Sequence, residues 1–324
     1  MQRLAISAAA ILAFASVTVC RAGDVRVAVD GGRLYIESVE PRSDDVILIA
    51  YATIHRDFLR ITNLNGTIYG RPEVLVLAPH DLTVDLGDGN DTLRIQSNIS
   101  FRHVSIDVGA SQSSSDDDDL VEMTLNYQGT LWIGTGPRND DVTLLGVHCN
   151  RWSSLFKALS INTGDGSDDV TILDSFFVAE YAFITTYASG NSGDLSVDRV
   201  VMDAAGVDYL WINQGAGADT ATLRDMDLKS LSMNTGGGDD DAAISFCHCD
   251  SLTANLGAGD DSLLLFETTA GSTLAYGGAG LDRLNRIGFS STSVRVYDWE
   301  YFNGRPAAIY APNLPSTSTT FSTR

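Results

Sequence analysis

An all-β chain wound into a right-handed parallel β-helix of about twelve coils is the fold this sequence predicts, on three observations. A phrase of 21 residues recurs four times without a gap, from Leu210 to Ser293. Each phrase opens with two apolar residues one position apart, and a second alternating pair follows a glycine-rich turn. Alternation is the period of a strand with one buried face. Units this short cannot each enclose a core, whereas stacked as coils they share a continuous one.

The elements follow in chain order. A short charged start, an apolar segment from Leu4 to Val19 and small residues near Ala22 describe a secretory signal over 1–22, which makes the chain a secreted or cell-surface product. The segment around Asp30-Gly31-Gly32 alternates strongly and is expected to form a hairpin or first coil that caps the amino-terminal end. The opening apolar pair then recurs as Leu34/Ile36, Leu59/Ile61, Leu82/Val84, Val104/Ile106, Leu131/Ile133, Leu159/Ile161, Ala182/Ile184, Leu210/Ile212, Leu231/Met233, Leu252/Ala254, Thr273/Ala275 and Val294/Val296. The steps are 25, 23, 22, 27, 28, 23, 28 and then four of 21, so loops bulge from the first half, most obviously at Ser111 to Asp119. Tyr297, Trp299, Tyr301 and Phe302 suit a lid over the last apolar layer. The β-helix is thus expected over 23–304, with a Pro/Ser/Thr-rich flexible tail over 305–324.

Net charge is −21 and the only lysines are Lys157 and Lys229, which disfavours nucleic acid and anionic membrane surfaces as partners and favours cations. No apolar run after the signal is long enough to insert in a membrane.

The turn between the two alternating pairs is G-x-G-x-D. Glycine stands at Gly215/Gly217, Gly236/Gly238, Gly257/Gly259 and Gly278/Gly280, and aspartate at Asp219, Asp240, Asp261 and Asp282. Earlier copies end in Asp91 and Asp168, with degenerate ones at Asp119, Asp140 and Asp198. These motifs resemble the hemolysin-type, or RTX, repeats, whose unit is G-G-x-G-x-D-x-U-x. The resemblance implies calcium held between turns by aspartate carboxylates and backbone carbonyls. Two departures stand beside it: the family's repeats run every nine residues, against one motif per 21 here, and the first glycine of the pair is missing except at Gly277.

Stacking also places the four regular aspartates in one column, where charges about 4.8 Å apart repel by roughly 1 kcal/mol in water. A divalent cation between coils reverses that sign, and calcium suits the geometry better than magnesium. The other reading needs no ion: glycine supplies positive φ at a tight corner and aspartate caps the corner's own amides. A second column, Asn162, Asn213, Asn234 and Asn255 with Asp85 and Asp107, reads as a hydrogen-bonded ladder.

Other motifs carry less. Cys247-His248-Cys249 alternates, so its thiols share a column with core residues and not with the histidine. The Ser192 segment lacks the strand-to-helix setting of a nucleophile and reads as an inserted loop. Trp132, Phe183 and Trp211 each stand between paired inward residues, which puts three aromatic rings on one outward face as candidates for glycan contact. The function expected from these features is a calcium-binding structural, adhesive or surface-binding rod with polysaccharide as a further partner. The alternative is a carbohydrate-active β-helix enzyme, a lyase or a hydrolase.

Overall fold

The computed structural model describes residues 24–40, 43–52, 57–109, 118–149, 158–187, 196–203, 206–303, 305–306 and 320–322. The signal segment, the Ser111 loop, the Ser192 loop and most of the tail lie outside these residues.

The described chain is all-β and coils into stacked parallel sheets. The first face holds β2 (Arg33–Ser38), β6 (Asp81–Asp85), β8 (His103–Asp107), β10 (Thr130–Gly134), β13 (Ala158–Asn162), β15 (Phe176–Thr185), β17 (Gly206–Asn213), β19 (Asp227–Asn234), β21 (His248–Ala258), β23 (Thr269–Ala279) and β25 (Ser290–Tyr297). Each pairs in parallel with the next. The second face stacks β3 (Val46–Tyr51), β7 (Thr92–Phe101), β9 (Leu120–Tyr127), β11 (Asp141–Leu145), β14 (Asp169–Leu173), β16 (Arg199–Asp203), β18 (Thr220–Arg224), β20 (Asp241–Ser245), β22 (Ser262–Phe266), β24 (Arg283–Ile287) and β26 (Tyr301–Phe302) in the same way. A shorter third side is made by the ends of the longer strands together with β12 (His148–Cys149).

The alternation in the sequence is the cause of this arrangement. Leu231, Met233, Ala242 and Ile244 of one phrase are buried, as are Leu252, Ala254, Leu263 and Leu265 of the next, and together they fill the shared interior. Register keeps like residues on like: Leu231 faces Leu252, and Ile244 faces Leu265. Cys247 and Cys249 are buried in this core, where burial pushes both thiols up to about 11. Cys249 shares its column with Leu228 and Ala270.

One expected coil does not exist. Leu59 and Ile61 are buried, but they lie on β4 (Phe58–Asn63), which pairs antiparallel with β3 and with β5 (Glu73–Leu77). Leu34/Ile36 therefore stack directly on Leu82/Val84, and the residues between them make one large coil with an antiparallel excursion. Period-two alternation marks a buried strand face without marking strand direction, which is why the pair was misplaced.

At the amino-terminal end β1 (Val25–Asp30) folds back on β2 as a hairpin, turning on Gly31 and Gly32 at φ of 55° and 83°. At the other end Trp299 and Phe302 are buried, and the indole of Trp299 donates to the Ala275 carbonyl at 3.2 Å. Arg286, which takes the place of Leu265 in the next coil, puts its guanidinium 4.3 Å from the Phe302 ring centroid. Two short strands, β27 (Arg305–Pro306) and β28 (Thr320–Ser322), pair with β26 and β25.

The candidate functional site: aspartate corner and aromatic face

The G-x-G-x-D turns form one corner of the rod, between the first and second faces. Here the backbones of successive coils touch. An added Cβ at Gly257 lies 1.7 Å from the Gly236 carbonyl oxygen, and one at Gly238 lies 1.9 Å from that of Gly217. Both residues have positive φ, 103° and 122°, so only glycine meets the steric and conformational demands together. Gly217, Gly236, Gly259, Gly278 and Gly280 repeat the pattern along the same edge, while at Gly215 the added Cβ meets the Tyr187 side chain.

The motif aspartates stand in one buried file: Asp91, Asp168, Asp219, Asp240, Asp261 and Asp282, joined by Asp45, Asp119, Asp140 and Asp198. Each backbone amide donates to the carboxylate of the following coil. Asp219 donates to Asp240 Oδ1 at 2.8 Å, Asp240 to Asp261 at 2.9 Å and Asp261 to Asp282 at 3.0 Å. The same link runs from Asp45 through Asp91, Asp119, Asp140, Asp168 and Asp198 to Asp219. Glu300 ends the file by accepting the Asp282 amide at 2.8 Å.

A second file, not anticipated from the motif, occupies the residue just before each aspartate and runs the opposite way. The Asn90 amide donates back to Asp44 at 3.0 Å, Asp118 to Asn90 at 2.8 Å, Ser167 to Asn139 at 2.9 Å, Asp260 to Asp239 at 2.8 Å and Leu281 to Asp260 at 2.9 Å. Consecutive amides of an extended chain point to opposite neighbours. Two adjacent polar side chains per corner, one serving each direction, therefore satisfy both. The signal was present in the sequence as the Asp, Asn or Ser that precedes the motif aspartate in most coils.

Burial pushes the carboxyls of Asp240, Asp261 and Asp282 up to about 6 and that of Asp168 up to about 9. The amide hydrogen bonds pull Asp240, Asp261 and Asp282 back toward the charged form. Elsewhere an inward hydroxyl takes the second oxygen, Thr135 on Asp140 and Thr186 on Asp198, both at 2.6 Å. Asp261 and Asp282 have Leu256 and Gly277 where those coils have threonine, and their Oδ2 atoms, like those of Asp168 and Asp240, are buried without a hydrogen-bond partner; the Thr235 hydroxyl donates instead to the Leu256 carbonyl at 3.0 Å.

The donor set can be compared with what calcium requires. One oxygen of each carboxylate is committed to an amide, and the carbonyls of Gly215 and Gly236 accept from Gly237 at 3.0 Å and Ala258 at 3.1 Å. That leaves a cation at most one buried carboxylate oxygen per coil, as at Asp261 and Asp282, against about six to eight oxygens for calcium. Among the described residues no three His, Cys, Asp or Glu side chains gather as metal ligands. The corner in this geometry offers calcium too few oxygens, and it works as a hydrogen-bond spine that satisfies its backbone amides from coil to coil.

The asparagine column forms a ladder of its own. Asn255 donates to Asn234 at 2.6 Å, Asn234 to Asn213 at 2.7 Å and Asn213 to the Tyr187 hydroxyl at 3.0 Å. Asn162 shares the column, beside Thr185, and Asp85 pairs with Asp107 further along it.

Outward from this edge, the first face gathers the aromatic residues. Trp132, Ser160, Phe183 and Trp211 share one column by register. Phe183 and Trp211 stack with centroids 4.8 Å apart and planes 9° apart. Tyr181 and Tyr209, in the adjacent column, stack at 5.3 Å and 21°. The four rings form a two-by-two block of nearly parallel planes, because Tyr181 lies 6.4 Å from Phe183 at 16° and Tyr209 lies 6.0 Å from Trp211 at 18°. The rings stack on one another along the rod, so the faces within the block are occupied and the open faces are at its two ends. Lys229 stands 5.9 Å from the Tyr209 centroid and pairs with Asp208 at 2.7 Å. Trp132 is set apart by the coil of Ser160, and its ring leans over Gly134, where an added Cβ would be 2.7 Å away.

Comparison with known proteins adds no relative: no protein-family model, no curated protein and no solved structure matches this chain.

Proposed function

We propose that the chain is an exported, surface-binding β-helical rod that engages polysaccharide through the aromatic block of its first face. The observation that carries this reading is the block of Tyr181, Phe183, Tyr209 and Trp211, four stacked rings on an outward sheet face of an otherwise acidic and hydroxyl-rich surface. Outward aromatic residues scattered singly need no explanation, but four gathered in register form an organised apolar patch. The aspartate spine and asparagine ladder serve this role by holding the face straight: each coil is tied to both neighbours at the corner, so aromatic positions keep their spacing along the rod.

Affinity electrophoresis of the full chain through gels containing soluble polysaccharides tests the reading. Retardation by at least one uncharged polymer, lost in Phe183→Ala with Trp211→Ala, which removes a ring from each end of the block, is the expected result. Unretarded migration in every polymer removes glycan binding. The same incubations, assayed for reducing ends and unsaturated products, register any turnover.

A further inference from the structure

The aromatic face contains a shelf that the block itself does not fill, and it lies in the coil of β13. The columns that hold Tyr181 and Phe183 carry Ala158 and Ser160 one coil earlier, both small and half-buried. Phe183 is 42% exposed and Trp132, one coil beyond Ser160, is 36% exposed. The Trp132 ring reaches over Gly134 of its own strand. The shelf is therefore bounded along the rod by the outer faces of Tyr181 and Phe183 at one end and by Trp132 at the other. Its floor is Ser160, with the exposed Asn162 amide at its edge.

Resting on the polysaccharide reading above, we infer that this shelf is the sugar subsite and that it takes a pyranose ring of an uncharged glycan. By register the backbone positions of Trp132 and Phe183 lie two strand spacings apart, about 9.6 Å. Contact of carbon with carbon on both sides takes up about 7–8 Å of that distance. A puckered pyranose, with hydrogens projecting from both faces, fills more of the remainder than a planar ring does. The chemistry agrees with the shape: the C–H faces of the sugar meet aromatic carbon, while its hydroxyl edge meets the Ser160 hydroxyl and the Asn162 amide, which both donate and accept. Neither floor residue is charged. The chain's net charge of −21 opposes a polyuronate, which leaves a neutral glycan as the occupant.

The opposite end of the block is the internal control. Ser230 and Ser232 follow Tyr209 and Trp211 in their columns, but no aromatic residue stands beyond them: Ser251 and Thr253 come next. That end offers one wall where the shelf offers two.

Two plugging substitutions decide between the ends. Ser160→Trp fills the shelf with a residue the same column already accepts at Trp211, and Ser232→Trp fills the open end. Binding is measured by calorimetry on the full-length chain with soluble glucomannan and hydroxyethyl cellulose, with polygalacturonate as the charged control, after the thermal midpoint of each variant is shown to match the parent. The expected result is about tenfold or greater weakening by Ser160→Trp and by Phe183→Ala, unchanged affinity in Ser232→Trp, and no binding of polygalacturonate. Loss in Ser232→Trp with retention in Ser160→Trp overturns the shelf and leaves polysaccharide binding standing. Failure of the parent chain to bind either neutral polymer overturns both. If Ser160→Trp unfolds, Phe183→Ala with Asn162→Ala carries the same comparison.

Discussion

Replacing glycines one at a time at three kinds of position separates the two demands that the corner makes on the backbone. At Gly237 an added Cβ meets nothing closer than the Ala258 carbonyl oxygen at 3.8 Å, an ordinary contact. At Gly146 the φ is +61° but no atom lies within 4 Å, so alanine there carries conformational strain alone. At Gly257 the φ is +103° and the Gly236 oxygen lies 1.7 Å from the new carbon. Strain of an L-residue in the left-handed region costs about 1–2 kcal/mol, and forced overpacking adds about 1–3 kcal/mol. Gly257→Ala is therefore expected to lose about 2–5 kcal/mol, Gly146→Ala about 1–2 kcal/mol, and Gly237→Ala to stay within about 0.5 kcal/mol of the parent or gain slightly. Urea denaturation followed by far-ultraviolet circular dichroism gives all three values. Equal losses at Gly257 and Gly146 would falsify the claim that coil backbones touch at this edge.

Three further outcomes follow from the spine. The carboxyls of Asp240, Asp261 and Asp282 are raised by burial to about 6, so the folded state holds protons that the unfolded chain releases. That contribution is complete below the ordinary value of 3.8 and is lost as pH rises through about 6, with Asp168 extending the loss toward about 9. The thermal midpoint is expected to fall as pH rises from about 4.5 to about 7.5; a flat or rising profile contradicts the burial of the file. Asp261→Ala removes the acceptor of the Asp240 amide and is expected to cost about 1–3 kcal/mol. Asp261→Asn keeps an acceptor oxygen, should cost less, and should flatten the pH profile; equal losses in the two variants would show that the amide bond contributes nothing. Finally, because the corner leaves no adequate donor set, the thermal midpoint should be the same in excess calcium and in excess chelator, and a marked drop on chelation would refute the donor count.

The repeat made much of this molecule legible. The 21-residue register put Asp219, Asp240, Asp261 and Asp282 in one file and Gly236 above Gly215, since identical phrases that share a core must stack in phase. Leu59 and Ile61 were misplaced because a buried antiparallel strand shows the same alternation as a buried parallel one. The outer file of Asp44, Asn90, Asp118, Asn139, Ser167, Asp239 and Asp260 is hard to see in the sequence because its residue type varies, while what it preserves is an acceptor atom at one position. The aromatic residues were assigned to the right face, but the stacking of Phe183 on Trp211 depends on side-chain torsions that spacing does not determine. Tyr181 and Tyr209 were missed because they stand one column to the side.

Each carboxylate of the inner file serves only the coil before it, so the rod's length is not dictated by any single link. Excising one period, 230–250, would bring the amide of Asp219 to Asp261 in place of Asp240, since both occupy the same place in their phrases. The result is a shorter rod by about 4.8 Å with its two ends unchanged. Duplication works in reverse, and a lineage carrying such a chain can extend or trim its reach in whole turns without redesigning a cap.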